Sequence, residues 1–224
     1  WRIRFDIFEL ERAYNQMRYA LVIQDEFSGY IWVYTLPGKT QEEFVQALKT
    51  FSRMLKAQYD LYIYRIRRDN DRSLGNQFDD WVRQKGIKDE PCPPHIKEPN
   101  GGSERSEGVV RPRALAMQLA ANLPSDLWPE TWPAAAYFHN RSPREQNGWK
   151  TPRETLLKWL RVNNKDVADL MDQPNVTNVY TYGCRAYPIR KEVLEDQEKV
   201  ARKTKPRTHI GYLVGYGGSN IYRI

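Results

Sequence analysis

The chain opens with WRIRFDIF (residues 1–8), in which apolar and polar side chains alternate. The apolar residues Ile3 and Phe5 occupy odd positions, and the polar residues Arg4 and Asp6 occupy even positions. A period of two residues is typical of a β-strand with one face toward a core. This stretch therefore predicts a strand on which Asp6 lies on the face away from the apolar side chains.

The segments after this strand predict its partners. Residues 19–24 and 30–36 are rich in β-branched and aromatic side chains, and residues 25–29 separate them, which indicates a hairpin behind the first strand. Thr40 and Glu43 then form a capping box, and the helix that it opens carries apolar residues at helical spacing. These residues are Phe44, Leu48, Phe51 and Leu55.

A crossover to a parallel strand follows. Residues 61–67 are mostly apolar and predict a central strand covered on both faces, which delivers Asp69 to the carboxyl edge of the sheet. Phe78, Trp81 and Val82 indicate the core side of a short helix, and Ile87 begins a last brief strand. The order strand, strand, strand, helix, strand, helix, strand, helix indicates an α/β fold with a mixed sheet.

The next stretch, PNGGSERSEGVV (residues 99–110), places Glu104 in the first turn of a helix after a glycine-rich loop. A glutamate there usually just complements the helix dipole. Asp6 and Asp69 change the interpretation, since the offset from Asp69 to Glu104 is 104 − 69 = 35 residues. Two carboxylates on strands and one at a helix start are what a two-metal phosphoryl-transfer site requires.

The helix after Glu104 is expected to continue to about Asn122. Its inner side is expected to carry three leucines: Leu115, Leu119 and Leu123. Pro112 removes a backbone donor and clashes with the preceding turn, so it predicts a kink or a break near residues 110–111.

Residues 126–140 predict a further helix whose tryptophans pack in the core rather than stack on bases. Thr151, Pro152 and Glu154 start another helix. Residues 161–176 are polar and suggest a linker. Residues 179–187 and 209–216 are strand-like, so the C-terminal part is expected to be a small β-rich appendage that is truncated at Ile224.

Composition limits the classes of function. The 224 residues include 35 basic and 28 acidic side chains, for a net charge of +7, which favours polyanionic partners although a merely solvated basic surface stays open. The mean hydropathy is −0.77, and the sequence has neither a long apolar run nor a signal-peptide pattern. We therefore expect neither a membrane-spanning segment nor secretion. The two cysteines and three histidines lack zinc-ligand spacing, so no zinc module is expected.

The order Asp6, Asp69, Glu104 resembles the D,D-35-E triad of retroviral and retrotransposon integrases. Seven blocks are similar, in order, to those of copia-type LTR-retrotransposon integrases, especially the fungal branch, and the similarity extends over nearly the whole chain. The blocks are IQDEFSGYIWVYTLPGKT, RRDNDRSLGNQFDDW, PNGGSERSEG, LWPETWPAAAYFHNRSP, GWKTPRE, YGCRAYP and RTHIGYLVGY.

The resemblance implies an RNase H-like mixed five-stranded sheet flanked by helices, which agrees with the predicted element order. The catalytic core would span residues 1–160, the linker 161–176 and the β-rich segment 177–224. Asp6 would bridge two Mg²⁺ ions, or Mn²⁺ in their place, while Asp69 would hold one ion and Glu104 the other.

The implied activity joins the 3′ ends of retrotransposon cDNA to target DNA. The implied partners are therefore DNA and further copies of the chain in a homo-oligomer, and the expected location is the nucleus after a cytoplasmic particle stage. Candidates for guiding the DNA are Asn100, Arg105, Arg111 and Arg113, each of which has the alternative of a plain surface role. Asp71 is a weaker candidate for a fourth metal ligand, since exposure in a turn accounts for it.

Two other functions stay open on the sequence. A catalytically decayed or domesticated core that binds nucleic acid or partners would account for Pro99, Pro112 and the missing zinc module, but the intact triad argues against it. An RNase H-type nuclease would share the fold, but it leaves the YGCRAYP and RTHIGYLVGY blocks unexplained.

Overall fold

A mixed five-stranded sheet forms the centre of the protein in a computed structural model, which describes residues 1–68, 74–91, 106–163, 173–191, 207–218 and 220–224. The strand order is β3-β2-β1-β4-β5. The first three strands are antiparallel, whereas β4 pairs parallel to β1 and β5 parallel to β4. The five strands are β1 (Arg2–Glu9), β2 (Tyr19–Asp25), β3 (Ile31–Leu36), β4 (Arg65–Arg68) and β5 (Lys88–Pro91).

In the described residues, five α-helices cover the two faces of the sheet. They are α1 (Gln41–Tyr59), α2 (Gly75–Lys85), α3 (Ser106–Ala120), α4 (Trp128–His139) and α5 (Pro152–Asn163). On one face, α1, α2 and α5 bury a core with Ile3, Phe5 and Ile23. On the other face, α3 and α4 pack on Ala20 and Val22. None of the helices in the described part of the chain has the length and apolar character that a membrane crossing requires.

Helix α1 confirms the predicted cap and apolar stripe. The Thr40 hydroxyl accepts the Glu43 amide, and the Glu43 carboxylate accepts the Thr40 amide. The helix ends at Asp60, whose φ of 50° is left-handed and directs its amide to the carbonyls of Leu55 and Lys56. Local chemistry therefore fixes both ends of this helix, and Phe44, Leu48, Phe51 and Leu55 are all buried as expected.

The expected strand over residues 61–67 is only partly correct, because β4 covers Arg65–Arg68. Leu61 and Ile63 are buried, but Tyr62 and Tyr64 are 49% and 64% exposed, so this segment is covered on one side only. The partner strand explains the difference: β1 begins at Arg2, which lies opposite Arg65. Pairing along the sheet therefore starts at Arg65.

Helix α3 departs from two expectations. Leu115 and Leu119 are 55% and 71% exposed, so the prediction that leucines form its inner side is wrong. The buried side carries Val110 and Ala114 instead. Of the kink or break predicted at Pro112, the break is wrong, since the helix runs unbroken through this residue, whereas the kink stays a prediction. Pro112 and Gly108, four residues before it, are both exposed.

Asn140, directly after α4, completes the hydrogen bonding of the edge strand β3. Its amide nitrogen donates to the Ile31 carbonyl at 2.8 Å, and its oxygen accepts the Ile31 amide at 2.8 Å. Both residues are buried. The side chain thus pairs with Ile31 as a neighbouring strand would, at a point where edge-strand groups would otherwise lack partners.

The C-terminal segment has less strand than the sequence predicts. It contains two two-stranded pairs whose strands are two residues each: β6 (Arg185–Ala186) with β7 (Gly211–Tyr212), and β8 (Gly215–Tyr216) with β9 (Tyr222–Arg223). The segment docks on α4, where the rings of Tyr216 and Tyr137 stack with centroids 4.8 Å apart. A small β-rich appendage is thus present, as expected.

Glu130 of α4 joins three parts of the chain. Its side chain is 6% exposed and lies 2.8 Å from the Arg223 guanidinium. It also accepts the Tyr14 hydroxyl at 2.7 Å, and this hydrogen bond, with burial and the charge of Glu130, raises the pKa of Tyr14. The connection between β1 and β2, helix α4 and strand β9 therefore meet at one carboxylate.

Candidate active site

Asp6 lies in the central strand, on the face of the sheet that α3 covers. It is half-buried and stands opposite Val22 of β2, which belongs to the core beneath α3 and α4. Ile3 and Phe5 alternate with Asp6 along the strand and are buried on the other face of the sheet. The predicted orientation of Asp6 is therefore confirmed.

Strand β4 is the parallel neighbour of β1, and it ends directly before the second predicted carboxylate in the sequence. Its last residue, Arg68, lies opposite Phe5, the residue directly before Asp6. Asp69 follows Arg68 in the sequence but lies outside the described residues, as does Asp71. The structure thus confirms that β1 and β4 are parallel neighbours, and the place of the Asp69 side chain stays a prediction.

Arg68 is held firmly at the end of β4. Its guanidinium donates to both oxygens of Asp89, at 2.6–3.2 Å, and lies 5.1 Å from the centre of the Phe78 ring. The Arg68 side chain is only 11% exposed. A two-pronged contact of this kind is both charge-assisted and directional, so it fixes the strand end that leads into Asp69.

Helix α3 approaches from the side of the sheet on which Asp6 lies. Val110 and Ala114 pack in the same core as Ala20 and Val22. Glu104, two residues before the first residue of α3, lies outside the described residues, and so do Asn100 and Arg105. The elements that flank the three predicted carboxylates are therefore adjacent, while two of the carboxylates themselves are not described.

The remaining predicted DNA contacts lie on different sides of α3. Arg111 is exposed, whereas Arg113 is half-buried. Two residues along an α-helix correspond to about 200° of rotation, so the two side chains leave the helix in nearly opposite directions. The structure does not bring them together on one surface.

A cluster of charges that the sequence interpretation did not single out lies on the polar face of β1, β4 and β5. Glu90 of β5 is 2.8 Å from Arg2, 3.5 Å from Arg65 and 3.4 Å from Lys88. Partial burial raises the pKa of Glu90, but the charges of Arg2, Lys88 and Arg65 outweigh it, and the pKa is lowered overall. The alternation of arginines in RIR at residues 2–4 and 65–67 is the only sequence signal for this cluster.

The described residues do not form a metal site by themselves. Within these ranges, no three His, Cys, Asp or Glu side chains come close enough to hold an ion. Of the predicted ligands only Asp6 belongs to the described part of the chain. Its carboxylate is the type of oxygen donor that Mg²⁺ binds.

Comparison with solved structures identifies the fold. The catalytic core domain of BIV integrase superimposes with a TM-score of 0.54 over 72% of this chain and 97% of that domain, at 16% identity. The chain has the fold of a retroviral integrase catalytic core. The HTLV-2 integrase catalytic core domain in complex with magnesium, in a trimeric form, is similar with a TM-score of 0.50 and 20% identity over 67% of this chain and 92% of that one. The RNase H-like architecture expected from the sequence is thereby confirmed.

Curated relatives are polyproteins of plant retrotransposons. The retrovirus-related Pol polyprotein from transposon RE1 of Arabidopsis thaliana is 27% identical over 89% of this chain. That from transposon TNT 1-94 of Nicotiana tabacum is 26% identical over 87% of it. The chain spans only 12% and 14% of these two polyproteins. No protein-family model matches the chain. The expected fungal branch has no counterpart in these plant relatives and stays a prediction.

Proposed function

We propose that this chain is the catalytic core of a copia-type retrotransposon integrase, which joins cDNA 3′ ends to target DNA by metal-dependent phosphoryl transfer. The observation that carries the proposal is the position of Asp6 on the central strand, beside the end of β4 and on the face covered by α3. The similarity to retrotransposon Pol polyproteins and the integrase fold support it. The fungal branch rests on the sequence blocks alone.

The site would work through its carboxylates. Asp6 would hold metal ions at the polar face of β1, with Asp69 and Glu104 as the other ligands. The contact between Arg68 and Asp89 fixes the end of β4. Because consecutive Cα atoms are 3.8 Å apart, this contact would also limit the position of Asp69, the next residue in the sequence. Two bound Mg²⁺ ions would activate the attacking oxygen, stabilise the leaving oxygen and neutralise charge on the phosphate. A magnesium complex of an HTLV-2 core with this fold supports the choice of ion.

The partners follow from the same proposal. The substrates would be the retrotransposon cDNA ends and target DNA, which implies a nuclear site of action. A homo-oligomer is proposed because the similar HTLV-2 core is described in a trimeric form. The proposed division into a core at residues 1–160, a linker at 161–176 and a C-terminal segment at 177–224 is part of this assignment.

A strand-transfer assay tests the proposal. Labelled duplex ends and a target plasmid are incubated with the protein and Mg²⁺ or Mn²⁺, and joined product is measured. Asp69→Asn is expected to abolish the product, whereas the matched variant Asp79→Asn, at an exposed aspartate of α2, is expected to retain it. The same variants are assayed in the full-length protein, so that flanking segments are present.

Two outcomes would contradict the proposal. Equal activity of Asp69→Asn and wild type would remove Asp69 from the site. DNA binding by the full-length wild type without any joined product would favour the alternative, a non-enzymatic remnant that binds nucleic acid.

A further inference from the structure

Asn140 brings three other residues together at the β3 edge of the sheet. Its side chain bonds both backbone groups of Ile31, which follows Tyr30 in the sequence. Its own carbonyl accepts the Arg153 amide at 3.0 Å, and Arg141 is the next residue along the chain. Tyr30, Arg141 and Arg153 are therefore each at most one residue away from a hydrogen bond of Asn140.

Tyr59, the last residue of α1, lies near the same groups. Burial raises the pKa of its hydroxyl to about 12, and the nearby charges of Arg153 and Arg141 oppose this rise. Tyr30 and Tyr59 pack on the core that α1, α2 and α5 cover, whereas Asp6 lies on the other face of the sheet. We call Tyr30, Tyr59, Arg141 and Arg153 the arginine–tyrosine cluster, which is separate from the candidate active site.

Among the described residues, the two arginines of this cluster form no ion pair with a carboxylate. The Arg141 guanidinium lies 3.4 Å from the centre of the Tyr137 ring and donates to the Tyr137 carbonyl at 3.2 Å. The Arg153 guanidinium has no hydrogen-bond partner in this part of the chain. Glu154, the next residue, instead accepts the Thr151 amide at 2.7 Å as part of the cap of α5.

The positive charges of the cluster carry an electrostatic cost. Arg141 and Arg153 are both half-buried. Burial lowers the pKa of Arg141, and the charge of Arg153 lowers it further. Two partly desolvated cations thus lie near each other without a compensating acid, and a bound anion would remove this cost.

The side chains of the cluster are held in position by their neighbours. The ring of Tyr30 lies 4.6 Å from that of Trp32, which in turn contacts the buried ring of Phe51 at 5.1 Å. Arg141 is held over Tyr137 in the same way. Binding to ordered side chains loses less conformational entropy than binding to mobile ones, so few contacts are enough to hold a small ligand here.

We propose that the arginine–tyrosine cluster binds the phosphate group of a small-molecule phosphate monoester, at a site independent of the strand-transfer reaction. Guanidinium groups match phosphate oxygens in two-pronged contacts, and a tyrosine hydroxyl supplies a further donor. A monoester has three terminal oxygens and a charge of about −1.5 to −2 at pH 7, which balances two arginines. A carboxylate or a phosphate of the DNA backbone has two free oxygens and a single charge, so either would satisfy fewer donors.

The test measures the binding of two small aromatic anions by isothermal titration calorimetry. Phenyl phosphate carries the monoester group, and benzoate has a carboxylate in its place. EDTA is present, so that no metal ion holds the ligand at the predicted carboxylates. Arg153→Gln changes the cluster, and Lys158→Gln is the matched control because Lys158 is an exposed cation of the same helix. Tyr30→Phe, which removes only a hydroxyl, serves if Arg153→Gln does not fold.

The wild type is expected to bind phenyl phosphate at least about 10-fold more tightly than benzoate, because the monoester makes an additional charged contact. Arg153→Gln loses a charged donor, so its Kd for phenyl phosphate is expected to rise about 10- to 100-fold. Tyr30→Phe is expected to raise the Kd about 2- to 10-fold. Lys158→Gln and Asp69→Asn are expected to retain the wild-type Kd, since neither residue belongs to the cluster.

Failure of the wild type to bind phenyl phosphate, an equal loss in Lys158→Gln, or equal affinity for benzoate overturns the inference. So does displacement of phenyl phosphate by an unphosphorylated DNA duplex that depends on Arg153, because the cluster would then contact the DNA backbone. The two proposals fail separately. Arg153-dependent binding of phenyl phosphate without Asp69-dependent product refutes only the strand-transfer function, whereas Asp69-dependent product without this binding refutes only the phosphate site.

Discussion

Replacing Asn140 by alanine is expected to destabilise the protein far more than its small change in volume suggests. The Asn140 amide makes two hydrogen bonds of 2.8 Å with the backbone of Ile31, and both residues are buried. Alanine would leave the Ile31 N–H and C=O without partners at the edge of the sheet. The substitution thus removes one side-chain amide and leaves two buried backbone groups without hydrogen-bond partners.

The expected loss of stability follows from the cost of each backbone group that loses its hydrogen-bond partner. A buried polar group that loses its partner costs about 1–3 kcal/mol, so the loss of two partners in Asn140→Ala is expected to lower the free energy of unfolding by about 2–6 kcal/mol. Asn147 supplies a matched control, because its amide donates a hydrogen bond of 2.8 Å to the Ser28 carbonyl in a partly buried place. Asn147→Ala is expected to cost about 1 kcal/mol.

Urea unfolding followed by circular dichroism measures both variants. The midpoint should shift without a change in the denaturant slope, since only the stability of the folded state is altered. If Asn140→Ala costs no more than Asn147→Ala, then the amide does not act as the missing strand neighbour, and the account of the β3 edge is wrong.

Three further predictions concern other parts of the fold. Pro112→Ala restores a backbone donor in the exposed second turn of α3 and is expected to stabilise the protein by about 1–3 kcal/mol in urea unfolding, whereas a loss of stability would show that proline is required there. Burial raises the pKa of Asp25 above its ordinary value, despite opposing hydrogen bonds from Ser28 and Phe27. The folded state therefore holds this proton more tightly, and stability is expected to fall as the pH rises from about 4 through the folded pKa. Asp25→Asn should remove this decline in urea midpoints between pH 4 and 7, and an identical decline in the variant would assign it to another group. A double-mutant cycle with Arg68→Gln and Asp89→Asn is expected to give a coupling of about 1–3 kcal/mol, and additive effects would mean that the pair does not fix the end of β4.

The sequence predicted those elements whose determinants are local. The cap of α1 needs only Thr40 and Glu43, and its buried face needs only a periodicity of 3.6 residues. The alternation at residues 1–8 likewise fixed the side on which Asp6 lies. Element order followed from these signals, and with it the topology of the sheet.

Elements that depend on partners were predicted less well. Strand β4 begins at Arg65 because that is where β1 offers a neighbour, which the apolar character of residues 61–64 does not reveal. Helix α3 has apolar side chains on two sides, and the choice between them depends on α4. Trp128 and Trp132 are large and buried, so small residues such as Ala114 fit against them better than leucine does.

The candidate site divides in the same way. The parity of Asp6 could be predicted from its own strand. The charge cluster around Glu90 could not, because it requires the register between residue 2 and residue 65, and between residue 65 and residue 88. Register is set by turns and burial across the whole sheet and is not visible in any one segment.

The shared carboxylate of Glu130 has a consequence for dissecting the protein into modules. A fragment that stops near residue 160 would keep this buried acid and lose its cation, Arg223. Removing the partner of a buried acid is unfavourable, but the loss is smaller than for a fully buried pair because the Arg223 side chain is 64% exposed. The C-terminal segment is therefore expected to add stability to the α/β part of the chain, and Glu130→Gln is expected to recover part of the loss in a shortened fragment.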